Sequence, residues 1–340
     1  MFYNCKNHDF KILSDTYKSV NSSNSFDSIQ QKFNQKLIPF STLCYNKISD
    51  NYNMIDWQKD FNSVYNWSFG WYKSISYGNN SGSDIKVPWE LGRLQHLPFL
   101  AYYYTISKKP EVKEEIRNQI FDFMASNPPK FGVQWMTSMD IGIRLVNVLF
   151  TLNQFTIENQ LFDNSEMELV NSYLFDHYQH IKDNIEYSEG MRGNHYLCNL
   201  CSQLIYLCHI EDTNGKTELL DKYIKLINKE LEYQFHSDGT NFEASTRYHI
   251  FTSQMLVTAD LILMKSVGLS LDNSRMNRIT SFTIELLRFD KPLQIGDNDS
   301  GYYWKILNCE LLTYQSLVRI INSNCNIEEL LIYLEFGYIR

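Results

Sequence analysis

The sequence has no uninterrupted apolar stretch of about 18 residues, the length that a membrane-spanning helix requires. Its first 15 residues also lack the long apolar segment of a secretory signal peptide, which predicts a cytoplasmic protein. Strand signals, meaning alternating apolar and polar residues between turn residues, are nearly absent. These absences disfavour a membrane-spanning protein and a fold rich in strands, and they leave a helical protein as the main expectation.

Positive charge is scarce, because 31 Lys and Arg stand against 39 Asp and Glu, for a formal net charge of -8. A chain with this balance is a poor partner for nucleic acid or for an anionic membrane. The seven cysteines are odd in number, and Cys198, Cys201 and Cys208 lie in apolar helical segments, so we expect reduced thiols rather than disulfides. Cys198 and Cys201 have the spacing of a metal-binding pair, but no second pair accompanies them. The sequence therefore predicts no metal and no other cofactor.

Hydrophobic residues, at 44%, and charged residues, at 21%, are present in the proportions of an ordinary globular protein. Apolar residues follow the helical period from Trp89 onward, whereas residues 1–88 are irregular apart from a short helix over 26–37. We therefore predict an N-terminal extension, 1–88, packed on a body formed by 89–340. Within that body, helices are predicted near 89–107, 111–125, 137–155, 165–184, 193–210, 215–235, 242–267, 273–289, 303–322 and 326–336.

Several of these helices are apolar almost all round, and they alternate with amphipathic helices. A helix that is apolar on every side is buried on every side. Short connections make successive helices pack as antiparallel pairs. The pattern predicts an all-α fold of paired antiparallel helices in an inner and an outer layer, which is an α/α toroid.

One polar segment interrupts the apolar pattern, and it covers residues 235–249, FHSDGTNFEASTRYH. Asp238-Gly239 predicts a turn, and Thr240 or Asn241 is placed to cap the helix that follows. Glu243 lies three residues after Thr240, which is the capping-box spacing. Polar groups thus gather at one end of a helix whose remainder is apolar. A capped helix with a charged first turn explains this segment as well as a functional site does.

This segment and two others, residues 190–200 (GMRGNHYLCNL) and 294–302 (QIGDNDSGY), together resemble the heparinase II/III-like polysaccharide lyases and their alginate lyase relatives. Residues 87–101 (VPWELGRLQHLPFLA) look like the segment that lines the glycan cleft in that family, and residues 134–150 are a weaker match. The five segments keep the family's order over roughly residues 85–305. The resemblance implies an α/α toroid that binds an anionic polysaccharide containing uronic acid, and that cleaves it by β-elimination.

In such a polymer the C5 proton lies next to a carboxylate, so its removal builds negative charge that an enzyme must neutralise. The resemblance assigns this neutralisation to Asn194 and His195. It assigns Tyr248 as the catalytic base and leaves open whether Tyr248 is also the acid. A helix start at Asn194 would favour an anion, although an ordinary helix start with a packed histidine is the alternative. Substrate contacts are predicted for Trp89, Glu90, Arg93, His96, Arg144, Arg192, Asn241, Glu243, Arg247 and His249.

Three further residue pairs lie at suggestive spacings. Arg93 and His96, one turn apart, would share a helix face at the substrate or form an ordinary surface pair. Asp297 and Asp299 resemble a structural turn without the rest of a calcium loop. The pair formed by His177 and His180 is predicted to be solvated.

Members of the family usually continue into a β-rich domain that supplies another Tyr or His, and they are often periplasmic or secreted. This sequence ends at Arg340 after two predicted helical segments. It is therefore interpreted as a fragment, a helical-only relative, or half of a complex with a β-rich partner domain or chain, and as a weak lyase on its own. Two other classes stay open. One is a glycan-binding protein without activity, and the other is a glycan hydrolase whose two carboxylates, Glu90 and Glu243, would lie about 5–9.5 Å apart.

Overall fold

The computed structural model describes residues 2–13, 16–63, 65–77, 82–155, 159–190, 192–211, 213–286, 293–298 and 301–304. These residues are mainly helical, and the predicted all-α class is confirmed. The chain forms two compact units that divide between Asp183 and Asn184. The proposed boundary at residue 88 stays a prediction. The helices predicted over 303–322 and 326–336 lie almost entirely outside the described residues.

The first unit begins with short elements and continues with a series of longer helices. Proline occupies one of the first two positions of three of these helices, where its missing N–H is not needed. Strands β1 (Asp9–Phe10) and β2 (Lys18–Ser19) pair antiparallel. The helices are α1 (Phe2–Lys6), α2 (Phe26–Gln30), α3 (Ile38–Tyr45), α4 (Lys86–Gly92), α5 (Leu97–Ser107), α6 (Pro110–Ser126), α7 (Ser138–Asn153) and α8 (Asn164–Asp183).

Helices of the first unit pack mostly on their neighbours in the chain. Helix α5 packs on α6 and also on α7, and α7 packs on α8. This neighbour and next-but-one pattern is the one expected of paired helices in an α/α toroid. Trp57, Phe121 and Trp135 lie fully buried in the resulting core.

Two predictions about the first unit are wrong. The single helix over 89–107 is instead α4 followed by α5, because Leu94 takes a left-handed backbone conformation with φ 54° and interrupts the helix. Helix α3 forms in a segment that was predicted to be irregular. The prediction missed it because apolar residues in this segment follow the helical period only weakly. Such a short helix is stabilised mainly by tertiary packing, and α3 packs against α6.

The second unit contains four described helices, α9 (Asn194–His209), α10 (Lys216–Gln234), α11 (Thr246–Val267) and α12 (Asn273–Leu286). Helix α9 packs on both α10 and α11, and α11 packs on α12. By length and composition α11 could cross a membrane, but most of its apolar stretch is buried inside the fold. Its apolar character is therefore explained by its position in the core.

The polar segment before α11 forms the predicted turn but a different cap. Gly239 has φ 91°, and a Cβ there would lie 2.3 Å from the backbone oxygen of Arg278, so no other residue fits. The helix begins only at Thr246, capped by the Ser245 hydroxyl, which accepts from the Tyr248 backbone N–H at 3.2 Å. The prediction of Thr240 or Asn241 as the cap is wrong.

Candidate functional site

Asn194 is the first residue of α9, and the Glu243 carboxylate lies against it. The Asn194 backbone N–H donates to Glu243 Oε1 at 2.9 Å, and its side-chain Nδ2 donates to both carboxylate oxygens at 3.1 and 2.9 Å. The anion that compensates the positive end of the α9 dipole is therefore Glu243 itself. A Cβ on Gly193 would lie 2.9 Å from Glu243 Oε1, so the approach depends on glycine at that position. The structure thus places Glu243 as the residue that orients Asn194.

His195 follows directly and contacts a different carboxylate. Its Nδ1 lies 3.0 Å from Glu186 Oε1, and its side chain is 48% exposed. Asn199, one turn further along α9, donates from Nδ2 to Glu186 Oε2 at 3.2 Å. Asn194 and His195, the first two residues of α9, therefore each contact a different glutamate: Asn194 contacts Glu243, and His195 contacts Glu186.

Tyr248 lies in the first turn of α11 and is half-buried. The segment that leads into this helix carries Glu243, whose carboxylate bonds Asn194. Helices α9 and α11 also pack directly against each other. The structure thus brings the elements that carry Asn194, His195 and Tyr248 together within one unit.

The two residues beside Tyr248 point to different surroundings. Arg247 donates from Nε to Asn298 Oδ1 and from Nη2 to the Tyr302 hydroxyl, both at 3.1 Å. His249 is only 2% exposed, and its Nε2 lies 2.8 Å from the Thr283 hydroxyl. Burial lowers the pKa of His249 to about 4, so it adds no positive charge near neutral pH. The predicted substrate contact of His249 does not agree with this buried position.

Ile295 and Asp297 are anchored to the start of α11. The Ser245 hydroxyl donates to the Asp297 backbone oxygen at 2.6 Å, and the Thr246 backbone N–H donates to the Ile295 oxygen at 3.0 Å. These contacts agree with a structural turn at Asp297, whereas Asp299 lies outside the described residues. Among the residues that the structure describes, no group of three or more His, Cys, Asp or Glu is placed to hold a metal ion.

The burial of His249 predicts a specific pH dependence of stability. Unfolding returns its pKa from about 4 to the ordinary 6.5. Its contribution is therefore fully present above pH 6.5 and is lost as the pH falls towards 4. Between pH 7 and pH 5 this one residue should lower the free energy of unfolding by about 2 kcal/mol.

Denaturant unfolding of the wild type and of His249→Leu at pH 7 and at pH 5 measures the contribution of His249 to the free energy of unfolding. The variant should lose about 2 kcal/mol less than the wild type over the interval. Exposed His236→Leu is the matched control and should keep the wild-type dependence. Equal pH dependence in the wild type and in His249→Leu would contradict the assignment.

Two other predicted substrate residues of the second unit have clear partners. The Arg192 guanidinium lies 3.8 Å from the centre of the Tyr233 ring, and its Nη1 is 3.4 Å from Glu230. Asn241 is buried, and its Oδ1 accepts from the Glu243 backbone N–H at 2.9 Å. Arg192 is therefore partly accessible beside α9, whereas Asn241 shapes the loop that carries Glu243.

The predicted substrate residues of the first unit begin at α4. Trp89 donates from Nε1 to the Val133 backbone oxygen at 2.8 Å. Arg93 is buried and donates from Nε to Asp140 at 2.6 Å, and it also forms an ion pair with Glu90. Arg93 and His96 do not share a helix face, because α4 ends at Gly92. The alternative of a surface pair is wrong as well, since both side chains are buried.

His96 and Arg144 also lie in the interior of the first unit. His96 Nε2 lies 2.5 Å from Gln119 Oε1, and burial lowers the pKa of the imidazole to about 4. Arg144 is 1% exposed and donates to the backbone oxygens of Gly92 at 3.0 Å and Gln134 at 2.8 Å. Burial lowers the pKa of Arg144 to about 10. Both positions are those of structural residues rather than substrate contacts.

The prediction that His177 and His180 are solvated is wrong, because both side chains are fully buried. His177 Nε2 accepts a hydrogen bond from the Nε of buried Arg144 at 2.9 Å. Spacing alone shows that two residues share a helix face, but not whether a neighbouring element covers that face.

Sequence reasoning missed Glu186, Asn199 and Glu230. Asn199 follows His195 by four residues, so its place on the same face of α9 was visible in the spacing. Glu186 precedes α9 in a non-helical segment, and no local pattern indicated its partner. Glu230 lies on α10, and burial raises its pKa.

Comparisons with known proteins agree with the helical architecture. The family model described as heparinase II/III N-terminus matches residues 6–275. The structure of heparan sulfate lyase HepC from Pedobacter heparinus matches with a TM-score of 0.51 and 16% identity, over 89% of this chain and 46% of that chain. A mutant of the same lyase matches with 17% identity and the same TM-score and coverage. No match is found among curated protein sequences.

At these identities the solved structures establish a shared fold. The chain spans less than half the length of the heparan sulfate lyase structures that it matches. The family model, in contrast, covers most of this chain, including α4 through the start of α12 and the segment with Asn194, Glu243 and Tyr248. The chain therefore belongs to the heparinase II/III N-terminus family.

Proposed function

We propose that this chain is the helical part of a polysaccharide lyase, which binds an anionic polysaccharide containing uronic acid and cleaves it by β-elimination. The observation that carries the proposal is the contact between Asn194 and Glu243, because it joins the start of α9 to the segment that leads into the helix of Tyr248. The similar solved structures are heparan sulfate lyases, which supports the substrate class.

In this reaction Asn194 and His195 bind the uronate carboxylate as negative charge builds on it. The two contacts of Asn194 Nδ2 with Glu243 fit one hydrogen shared between both carboxylate oxygens, which keeps the second hydrogen for the substrate. His195 donates from its outer nitrogen when the imidazole is protonated. Tyr248 takes the C5 proton, a double bond forms between C4 and C5 as the C4–O4 bond breaks, and the leaving O4 receives its proton either back from Tyr248 or from water. A hydrogen-bond donor that stabilises the developing negative charge, as proposed for Asn194 and His195, raises the reaction rate by a factor of about 10²–10³.

The experiment that tests the proposal is a panel of uronate polymers, including heparan sulfate and alginate, with a neutral polysaccharide as control. Lysis leaves an unsaturated uronate, which ultraviolet absorbance detects. New reducing ends without this absorbance would show a hydrolase. Binding without any new ends would show a glycan-binding protein, and either result would overturn the proposal.

Asn194→Ala and His195→Ala should each lower kcat/KM by about 10²–10³, with a smaller effect on polymer binding. The reason is that both donors act most strongly on the charge of the transition state. Kinetics and equilibrium binding on the same polymer measure the two effects separately. Loss of the helical circular dichroism signal in either variant would instead favour the interpretation of an ordinary helix start.

A further inference from the structure

Glu186 contacts His195, which belongs to the proposed site together with Asn194 and Tyr248. His195 is well exposed and can carry a positive charge. His195 Nδ1 lies 3.0 Å from Glu186 Oε1. Because a carboxylate only accepts, Nδ1 carries the hydrogen of this bond. The contact therefore selects the Nδ1-protonated tautomer of a neutral His195 and stabilises the imidazolium form through its charge.

Asn199 holds Glu186 from two sides. The Asn199 Nδ2 donates to Glu186 Oε2 at 3.2 Å, and the Glu186 backbone N–H donates to Asn199 Oδ1 at 2.8 Å. Asn199 is fully buried on α9, four residues after His195. Glu186 is thus fixed by a rigid helix and bridges two residues on one face of that helix.

The tautomer decides what His195 can do for a uronate. In the neutral form set by Glu186, Nε2 has no hydrogen and can only accept, so it repels a substrate carboxylate. In the imidazolium form, Nε2–H donates to that carboxylate with the added strength of a charge-assisted bond. Recognition of an anion by His195 therefore requires the cation that Glu186 stabilises.

We propose that Glu186 is a positioning residue, which orients His195 and keeps it cationic for binding the substrate carboxylate. This role rests on the proposed lyase function, and it assigns to Glu186 a part in specificity for an anionic sugar. A neutral sugar gains nothing from a cationic His195.

The other charged groups at the start of α9 have partners of their own. Glu243 is bonded to Asn194, and Arg192 is paired with Glu230 and stacked on Tyr233. Glu186 bonds the His195 ring directly at Nδ1, so its removal should change the charge state of that ring.

The test uses Glu186→Gln, which keeps the shape and the acceptor oxygen but removes the charge. Its matched control is Glu189→Gln, since Glu189 is an exposed carboxylate three residues along the same segment. Nuclear magnetic resonance of ¹⁵N-labelled histidine measures the titration midpoint of His195 without any substrate. We expect the midpoint to fall by about one pH unit in Glu186→Gln and to stay within a few tenths of a unit in the control.

Activity on the best polymer from the panel gives the second readout. In Glu186→Gln the alkaline limb of the kcat/KM profile should move to lower pH, in step with the His195 titration, while Glu189→Gln keeps the wild-type profile. Glu186→Asp, which restores the charge on a shorter side chain, should recover part of the shift. A merely structural role would lower activity equally at every pH.

The two readouts separate failure of this inference from failure of the proposed function. An unchanged His195 titration in a folded Glu186→Gln protein overturns the role of Glu186, whatever the activity. If the titration shifts as expected but no polymer is cleaved, the contact stands and the lyase assignment falls. If Glu186→Gln loses its circular dichroism signal, Glu186→Ala takes its place as the variant without the charge, and a wild-type His195 midpoint in that folded variant would overturn the inference.

Discussion

Tyr248→Phe should lower lyase turnover by about 10²–10⁴, and to an undetectable level where the wild-type rate is modest, since it removes the group that takes the C5 proton. The substitution deletes only a hydroxyl. The backbone N–H of residue 248 would still donate to Ser245, so the start of α11 should be preserved. Binding of the polymer should therefore change little, because binding precedes proton transfer.

The measurement is steady-state production of unsaturated uronate, together with equilibrium binding of the same polymer to the same protein. Tyr233→Phe is a suitable control, because Tyr233 is an exposed tyrosine of the same unit outside the proposed proton transfer. Turnover of Tyr248→Phe equal to wild type would remove Tyr248 as the base. Loss of binding along with turnover would show instead that the hydroxyl acts in substrate recognition.

Arg144→Ala should lower the free energy of unfolding by at least about 3 kcal/mol, because a buried charged donor leaves several acceptors without partners. Its guanidinium bonds the backbone oxygens of Gly92 and Gln134, and the His177 ring. It also lies 4.6 Å from the centre of the Phe123 ring, so truncation opens a cavity beside that ring.

Denaturant unfolding followed by circular dichroism measures this loss. Arg278→Ala is the matched control, since Arg278 bonds an exposed serine and should matter by no more than about 0.5 kcal/mol. If Arg144→Ala is as stable as wild type but binds polymer more weakly, the sequence-based prediction of a substrate contact is right and the structural role is wrong.

These two residues show how differently local and tertiary information bear on a site. The sequence predicted Tyr248 from a motif, and the structure keeps it at the start of a helix beside α9. The sequence predicted Arg144 by the same resemblance, and the structure buries it completely. Nothing in the neighbouring residues of the two side chains distinguishes these outcomes, because burial depends on elements that are distant in sequence.

The sequence by itself determined which segments become helices from α6 to α12. Hydrophobic period and the punctuation by Pro, Gly and Asp act within a few residues, so they can be identified without knowledge of contacts. It also determined the turn at Gly239, since only glycine takes that backbone conformation at no cost.

Only the tertiary structure decided which polar groups meet. Glu243 reaches Asn194 across 49 residues of sequence, and Arg247 reaches Tyr302 across 55. It also decided that Ser245 caps α11, because the loop from Gly239 to Ala244 is shaped by its packing against α12 and against Gly296 and Asp297. Hydrogen-bond partners and burial depend on how the helices and loops pack together. The local sequence specifies which side chains are present, but not which groups they contact.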